Sequence, residues 1–273
     1  MSKTWFITGV SRGLGKSLAQ AALQQGDIVI GTVRSGTPEF APGPGALHIL
    51  QLEVSNPAAI EAIIPAAFAI NGRIDVLVNN AGYGLLGGLE QASDSEIDHL
   101  FAVDVFGPIR LIRAALPRLR AQGSGHIINI TSIAGRAPRA GSPLYATAKY
   151  ALEGLSHSLA DEVAEFGIKV TAVAPGAFRT DFLDPHSIRQ ASGAAEPSAA
   201  TAAALQALNA MAGKQSGDPD RAAAAILKLA ASRNPPVHLL LGTDALTRFR
   251  ASQETLNTEM NDWEATTRST DYT

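Results

Sequence analysis

Thr8-Gly9-Val10-Ser11-Arg12-Gly13-Leu14-Gly15 joins a short apolar run, Thr4–Thr8, to a segment of helical period. A strand that passes into a helix through such a turn has particular needs. Gly9 lets the chain turn tightly because no Cβ restricts its φ. Gly13 lets the backbone come close to a pyrophosphate, and Gly15 lets helix pack on strand. The helix N-terminus then presents unpaired N–H groups and the positive end of its dipole to a phosphate. The spacing, with three residues between the first two glycines and one between the last two, is not that of the usual dinucleotide fingerprint. A glycine-rich loop without a ligand is the plainer alternative, and the strand-before, helix-after context argues against it.

Outward from this turn the same rhythm continues. Further strands are expected at Ile28–Val33, Leu47–Val54, Ile74–Asn79, Gly125–Thr131, Ile168–Ala174 and Val237–Leu241, separated by amphipathic stretches long enough for crossover helices. Runs such as Val76-Leu77-Val78 are continuously apolar, which suits strands buried on both faces of a parallel sheet. Asn56-Pro57 and Asp218-Pro219 offer an N-cap followed by proline at the first helical position. Ser93-Asp94-Ser95-Glu96 fits a capping box. The alternation predicts an α/β fold: one doubly wound domain, with a mostly parallel seven-stranded sheet and helices on both faces.

One segment breaks the rhythm. Phe182–Gly217 has no strand candidate and is rich in alanine, serine and glycine, with a helix expected over Ala199–Met211. It reads as a disordered linker or as a lid over a substrate. Its place after a late strand, at the carboxyl edge of the sheet where ligands bind, favours the lid. A helix is expected over Thr243–Trp263 and a frayed tail over Thr266–Thr273.

Composition narrows the functions. The chain has 273 residues, 46% of them apolar, enough for one substantial core. A net charge of −3 gives no basic field for nucleic acid. The absence of cysteine rules out disulfides and thiolate metal sites. The first apolar run is too short for a secretory signal, and no run approaches the ~18 apolar residues of a membrane span. A soluble, cytoplasmic protein is expected. Histidines 48, 99, 126, 157, 186 and 238 show no close metal-ligand spacing and are assigned to surface or packing roles.

Strand two ends Gly31-Thr32-Val33-Arg34, without the acid that usually hydrogen-bonds the ribose 2′-OH of NAD. Arg34 and Arg12 are instead suited to a 2′-phosphate, which points to NADP(H); solvated surface arginines are the alternative. Glu53-Val54, ending the third strand, is expected beside the adenine. Tyr145 and Lys149 lie four apart in a helix expected over Ser142–Phe166, so they share a face. A nearby ammonium favours the phenolate, which makes the pair a plausible general acid/base. Both side chains pointing at solvent is the bland alternative. Thr131-Ser132 ends the preceding strand, where a hydroxyl meets the substrate side of such a sheet.

The glycine turn, Asn79-Asn80-Ala81-Gly82, Ser132, Tyr145 with Lys149, and Pro175-Gly176-Ala177-Phe178-Arg179-Thr180 together resemble the short-chain dehydrogenases/reductases, over roughly Lys3 to Phe182. The resemblance implies a Rossmann fold and an NADP(H)-dependent oxidoreductase interconverting a carbonyl and an alcohol. Tyr145 would exchange the proton, Lys149 would lower the Tyr145 pKa and hold the nicotinamide ribose, and Ser132 would polarise the carbonyl. Gly9, Ser11, Arg12, Gly13, Leu14 and Gly15 would hold the cofactor's phosphates. Asn80, Ala81 and Gly82 would line its adenosine side; Pro175, Gly176, Phe178 and Thr180 would contact the nicotinamide end. Where the family usually carries asparagine, this chain has Asp104, either a tolerated near-isostere or a charge that alters Lys149 and Tyr145.

The segment Pro175–Phe182 and the glycine loop look most similar to the hydroxysteroid and retinol dehydrogenase-like branch, which implies a fairly apolar small-molecule substrate. The resemblance also implies a homodimer or homotetramer built on helices including Ser93–Arg120 and Ser142–Phe166. Two other functions compete. A non-catalytic NADP(H)-binding regulator would typically lack the Ser, Tyr and Lys set that is intact here. A sugar-nucleotide epimerase or dehydratase would show different glycine spacing and a larger C-terminal domain.

Overall fold

The computed structural model describes residues 2–184 and 187–272, so His186 lies outside the described residues. The first half of the chain runs β1 (Thr4–Thr8), α1 (Gly13–Gln24), β2 (Ile28–Val33), β3 (Ala46–Gln51), α2 (Pro57–Asn71), β4 (Val76–Asn79), β5 (Gly84–Leu86), α3 (Asp94–Phe101) and α4 (Gly107–Gln122). The second half runs β6 (Gly125–Ile130), α5 (Pro143–Val163), β7 (Ile168–Pro175), β8 (Ile188–Gln190), α6 (Ala199–Met211), α7 (Pro219–Ala231), β9 (His238–Leu241) and α8 (Thr243–Arg268).

Seven strands form one sheet in the order β3-β2-β1-β4-β6-β7-β9, and every pairing in it is parallel. The chain winds outward from β1 to β3, then returns to place β4 on the other side of β1. The order therefore reverses between β1 and β4, and a crevice opens at their carboxyl ends. Those ends carry the glycine turn and Asn80-Ala81-Gly82.

Side-chain alternation divides the core into two layers. Phe6, Leu77, Ile127 and Val170 point into the layer under α2, α4 and α5. Trp5, Ile7, Val76, Val78, Ile128 and Val173 point into the layer under α1 and α7. Burial on both faces is why these strands read as unbroken apolar runs. The expected caps form: the Asn56 and Asp218 side chains accept backbone N–H bonds at the starts of α2 and α7, and Ser93 with Glu96 closes a reciprocal box at α3.

Several expectations need correction. The third strand stops at Gln51; Leu52 makes a last backbone bond to Val33 O at 2.9 Å, and Glu53 and Val54 lie in the turn leading to the Asn56 cap. The segment Phe182–Gly217 does contain a strand, β8, which pairs in parallel with β5 and is too short to show a period. α8 continues five residues past Trp263, to Arg268, so the tail begins later than Thr266. The i,i+4 pair of Glu264 with Arg268, at 2.6 Å, supports that last turn. Between α3 and α4 the chain makes a wide π-helical turn, Ala102–Phe106, in which the N–H of Gly107 bonds back to Ala102 O. That turn holds Asp104. No described helix is long and apolar enough to cross a membrane.

Candidate active site

Gly9 and Gly13 adopt φ of 73° and 58°, where a side chain would be strained. The turn is braced from β4 as well as from its own strand. The Thr8 hydroxyl accepts the N–H groups of Asn80 and Ala81 at 3.0 and 2.9 Å, and Asn80 Nδ2 donates to Thr8 O and Gly9 O at 2.9 and 3.0 Å. A Cβ on Gly15 would run into Asn80 Nδ2 and Gly9 O, so Gly15 makes room for this brace as well as for helix packing. Leu14 packs against the core layer under α1, while Ser11 is exposed at the tip of the turn.

Facing the turn is the loop after β7. Thr180 Cβ lies 3.6 Å from the position a Cβ on Gly13 would take, so the two loops are the walls of one narrow cleft. Pro175 ends β7, Gly176 N donates to Leu241 O at 2.8 Å, and Ala177 N donates to Asp244 Oδ2 at 2.8 Å. Phe178 packs on the same core layer as Leu14 and Val10. Glycine backbone at the start of a helix, facing the loop after β7, fits the pyrophosphate of a dinucleotide.

The two arginines are placed differently. Arg34 is exposed just beyond the end of β2. Arg12 is half-buried, and its Nε donates to Ser187 Oγ at 3.0 Å, tying the glycine turn to the segment after Thr180. Glu53 is half-buried and accepts the N–H and hydroxyl of Ser55 at 3.1 and 2.9 Å; Val54 is buried with its carbonyl against α4.

At the carboxyl end of β6 the catalytic candidates converge. Tyr145 and Lys149 occupy successive turns of α5 and both are buried, which excludes the solvent-facing alternative. Tyr145 packs among Ala134, Ala146 and Phe182, with the two aromatic rings 6.1 Å apart. Lys149 Nζ sits 5.5 Å from the Tyr145 ring centre, donates to Ile130 O at 3.4 Å and pairs with Asp104 Oδ2 at 3.0 Å. The Ser132 Oγ accepts the N–H of Ala134 at 3.1 Å, and the same hydroxyl acts on the Tyr145 phenol in favour of its ionised form. Asp104 is fully buried; its Oδ1 accepts the N–H of Tyr83 at 3.1 Å, and Gly82 has no Cβ because Asp104 occupies that space.

Burial sets the electrostatics. Desolvation raises the Tyr145 pKa; Lys149 and the Ser132 hydroxyl pull it down, and Asp104 pushes it up again. Desolvation alone would lower the Lys149 pKa, but the Asp104 carboxylate and the Tyr145 phenol leave it raised. Burial also raises the Asp104 pKa against the pull of Lys149.

α5 is fastened to the sheet by buried polar groups behind these residues. The Thr131 hydroxyl bonds Glu153 Oε1, whose other oxygen pairs with Arg136 at 2.9 Å, and Asn129 donates to Ser156 Oγ at 2.8 Å. Thr8, Tyr83, Asp244 and Ser187 were not singled out in the sequence. Only Thr8, a β-branched hydroxyl immediately before Gly9, carried a local signal.

The model of the short-chain dehydrogenase family matches residues 3–191. The chain is 36% identical over 270 residues to oxidoreductase BOA17 of Botryotinia fuckeliana, covering 96% of this chain and 97% of that one. It is 35% identical over 254 residues to a 3-ketodihydrosphingosine reductase of Bacteroides thetaiotaomicron, covering 93% of each. The crystal structure of a short-chain dehydrogenase from Streptomyces avermitilis superposes with a TM-score of 0.89 at 37% identity, covering both chains completely. The chain belongs to the short-chain dehydrogenase family. It is an oxidoreductase of that family, which binds a nicotinamide cofactor and acts on the carbonyl or alcohol of a small molecule.

Proposed function

We propose that the protein is an NADP(H)-dependent reductase of apolar carbonyl compounds, with Tyr145 as its general acid/base. The observation that carries this reading is the meeting of Ser132, Tyr145 and Lys149 at the carboxyl end of β6, beside the cleft between the glycine turn and Thr180. Gly9–Gly15, with Ser11 and Leu14, would hold the cofactor's phosphates, and Arg12 and Arg34 its 2′-phosphate. Glu53, Val54, Asn80, Ala81 and Gly82 would flank its adenosine half; Pro175, Gly176, Phe178, Thr180 and Lys149 its nicotinamide half. When bound, the nicotinamide supplies or accepts the hydride.

The chain's own residues do the rest. Ser132 donates a hydrogen bond to the substrate oxygen. In reduction, the Tyr145 O–H bond breaks as the substrate gains its O–H, and the phenolate left behind is reprotonated from solvent. In oxidation the phenolate takes the alcohol's proton. Holding these groups at one carbonyl is the main catalytic contribution.

An apolar substrate is supported by Phe182 over Tyr145 and by the apolar part, Leu86, Ile188, Leu208 and Ala212, of a cavity of about 470 Å³ whose lining also includes Arg189, Gln190 and Asn209. Ile188, which lines this cavity, and Phe182, which packs on Tyr145, both flank Gly84. The name of the Bacteroides relative agrees with a long apolar ketone. The insert between Phe182 and Gly217 acts as the lid over it, and the enzyme works in the cytoplasm as a homodimer or homotetramer.

The test follows reduced-nicotinamide absorbance with NADPH or NADH against apolar ketones and aldehydes. Turnover is expected with NADPH, and Tyr145→Phe should lower it by at least ~10²-fold. Equal turnover with NADH would refute the roles of Arg12 and Arg34. Full activity in Tyr145→Phe would refute the mechanism. Tight NADPH binding with no turnover on any carbonyl would leave the regulator.

A further inference from the structure

We propose that Asp104 is a positioning residue that offsets the charge of Lys149 in a closed ion pair, and so keeps Tyr145 as a protonated phenol through neutral and mildly alkaline pH. The inference rests on the proposed role of Tyr145 and goes beyond it by fixing the pH range of each direction.

The geometry is a closed ion pair beside a phenol. Lys149 Nζ is 3.0 Å from Asp104 Oδ2 but 5.5 Å from the Tyr145 ring centre. A lone ammonium at that range would favour the phenolate by roughly 1–3 pKa units. An ammonium with a carboxylate in contact presents a dipole instead of a charge, and its field at the phenol falls off faster with distance. Both partners are buried, Asp104 completely, so water screens the pair little.

The other groups around the site do not undo this. The charged groups that act on Tyr145 are Lys149 on its own helix and Asp104 on the π-helical turn; from β6 and the insert it meets the Ser132 hydroxyl and the apolar Phe182. Asp104 meets Lys149, the Tyr83 N–H and, more remotely, His99. The Tyr83 phenol is itself covered by Arg189 at 4.7 Å. Among the described residues, the one full positive charge acting on the phenol is the one that Asp104 neutralises.

The carboxylate is positioned by more than Lys149. Oδ1 is fixed by the Tyr83 N–H, Gly82 leaves the space for it, and the wide turn at Ala102–Phe106 carries it inward. An amide at this place would keep the shape and the bond to Tyr83 while removing the charge.

A phenol suits reduction, which consumes its proton; oxidation needs the phenolate. Reduction should therefore persist into alkaline pH, and oxidation should rise with pH until the phenol ionises. The equilibrium constant ties the two directions together at any one pH, so the quantity to read is where each limb lies.

The experiment compares wild type with Asp104→Asn in two ways. The first is ultraviolet titration of tyrosinate in the protein without cofactor, with Tyr145→Phe subtracted to isolate the one phenol. The second is the pH profile of alcohol oxidation. Tyr145 is expected to ionise above the ordinary tyrosine value in wild type, and about one unit lower in Asp104→Asn, with the oxidation limb moving by the same amount. Unchanged or raised ionisation of Tyr145 in a variant whose circular dichroism and melting match wild type would overturn the proposal. If Asp104→Asn does not fold, Asp104→Ser is titrated in the same way. An oxidation limb that Tyr145→Phe leaves intact would instead overturn the underlying role of Tyr145.

Discussion

His126 shows how a single buried side chain sets a pH limit on the whole fold. Its Nε2 lies 2.9 Å from the Thr171 hydroxyl, which already donates to Pro236 O at 2.8 Å. The hydroxyl can therefore only accept, so Nε2 carries the proton and the ring is neutral. Nδ1 is buried without a hydrogen-bond partner among the described residues. Burial, helped by Lys169, lowers the His126 pKa to about 4. Between that value and the unfolded pKa near 6.5 the unfolded chain binds the extra proton, so stability falls as pH falls through this window. The expected loss is about 3 kcal/mol by pH 4, read from urea melts at several pH values. His126→Gln should flatten the dependence; an unchanged slope would show that other groups carry it. At this scale the sequence was partly legible. Tyr145 and Lys149 are four apart on one helix, and local spacing is what a sequence displays. The bonds from Asn80 to Thr8 and Asp244 to Ala177, and from Arg12 to Ser187, join residues 72, 67 and 175 positions apart, and no local pattern encodes them.

Among the elements, α8 is the one least explained by its own packing. Ala245 is buried and the neighbouring first turns touch β9, but every described residue from Gln253 onward is exposed. Local pairs and helix-forming residues sustain it without a core face. Removing Gln253–Thr273 should therefore shift the melting temperature by less than about 3 °C, with a loss of far-UV signal no larger than this helix accounts for. A larger drop would mean that α8 is covered by a second copy of the chain. Strands and capped helices were legible because period and caps are local. β8 was not, because its three residues gain meaning only from pairing with β5, and the π-helical turn was not, because it shifts register without changing composition.

For the molecule as a whole, the sheet order places the glycine turn and Asn80 side by side at the one reversal in its winding, and that placement locates the cleft. The end of the π-helical turn carries Phe106, stacked under Arg110 of α4, and the outer face of α5 carries the exposed Tyr150. Assembly through these helices is expected, and light scattering at micromolar concentration should give a dimer or tetramer; a monomer would refute it. Replacing Tyr150 by glutamate should weaken that assembly while leaving the monomer's circular dichroism unchanged.

The insert between Phe182 and Gly217 leaves and re-enters the body at one point. Arg179 N bonds Gly217 O at 2.8 Å, Gly217 N bonds Ala177 O at 3.0 Å, and Phe178 and Gly217 form a parallel bridge. Between its ends the insert is tied to the body through β8 on β5 and through Arg12 on Ser187, both outside the seven-stranded sheet. A change of length between Gln190 and Gly217 would therefore fall outside the main sheet and leave the register of its seven strands in place.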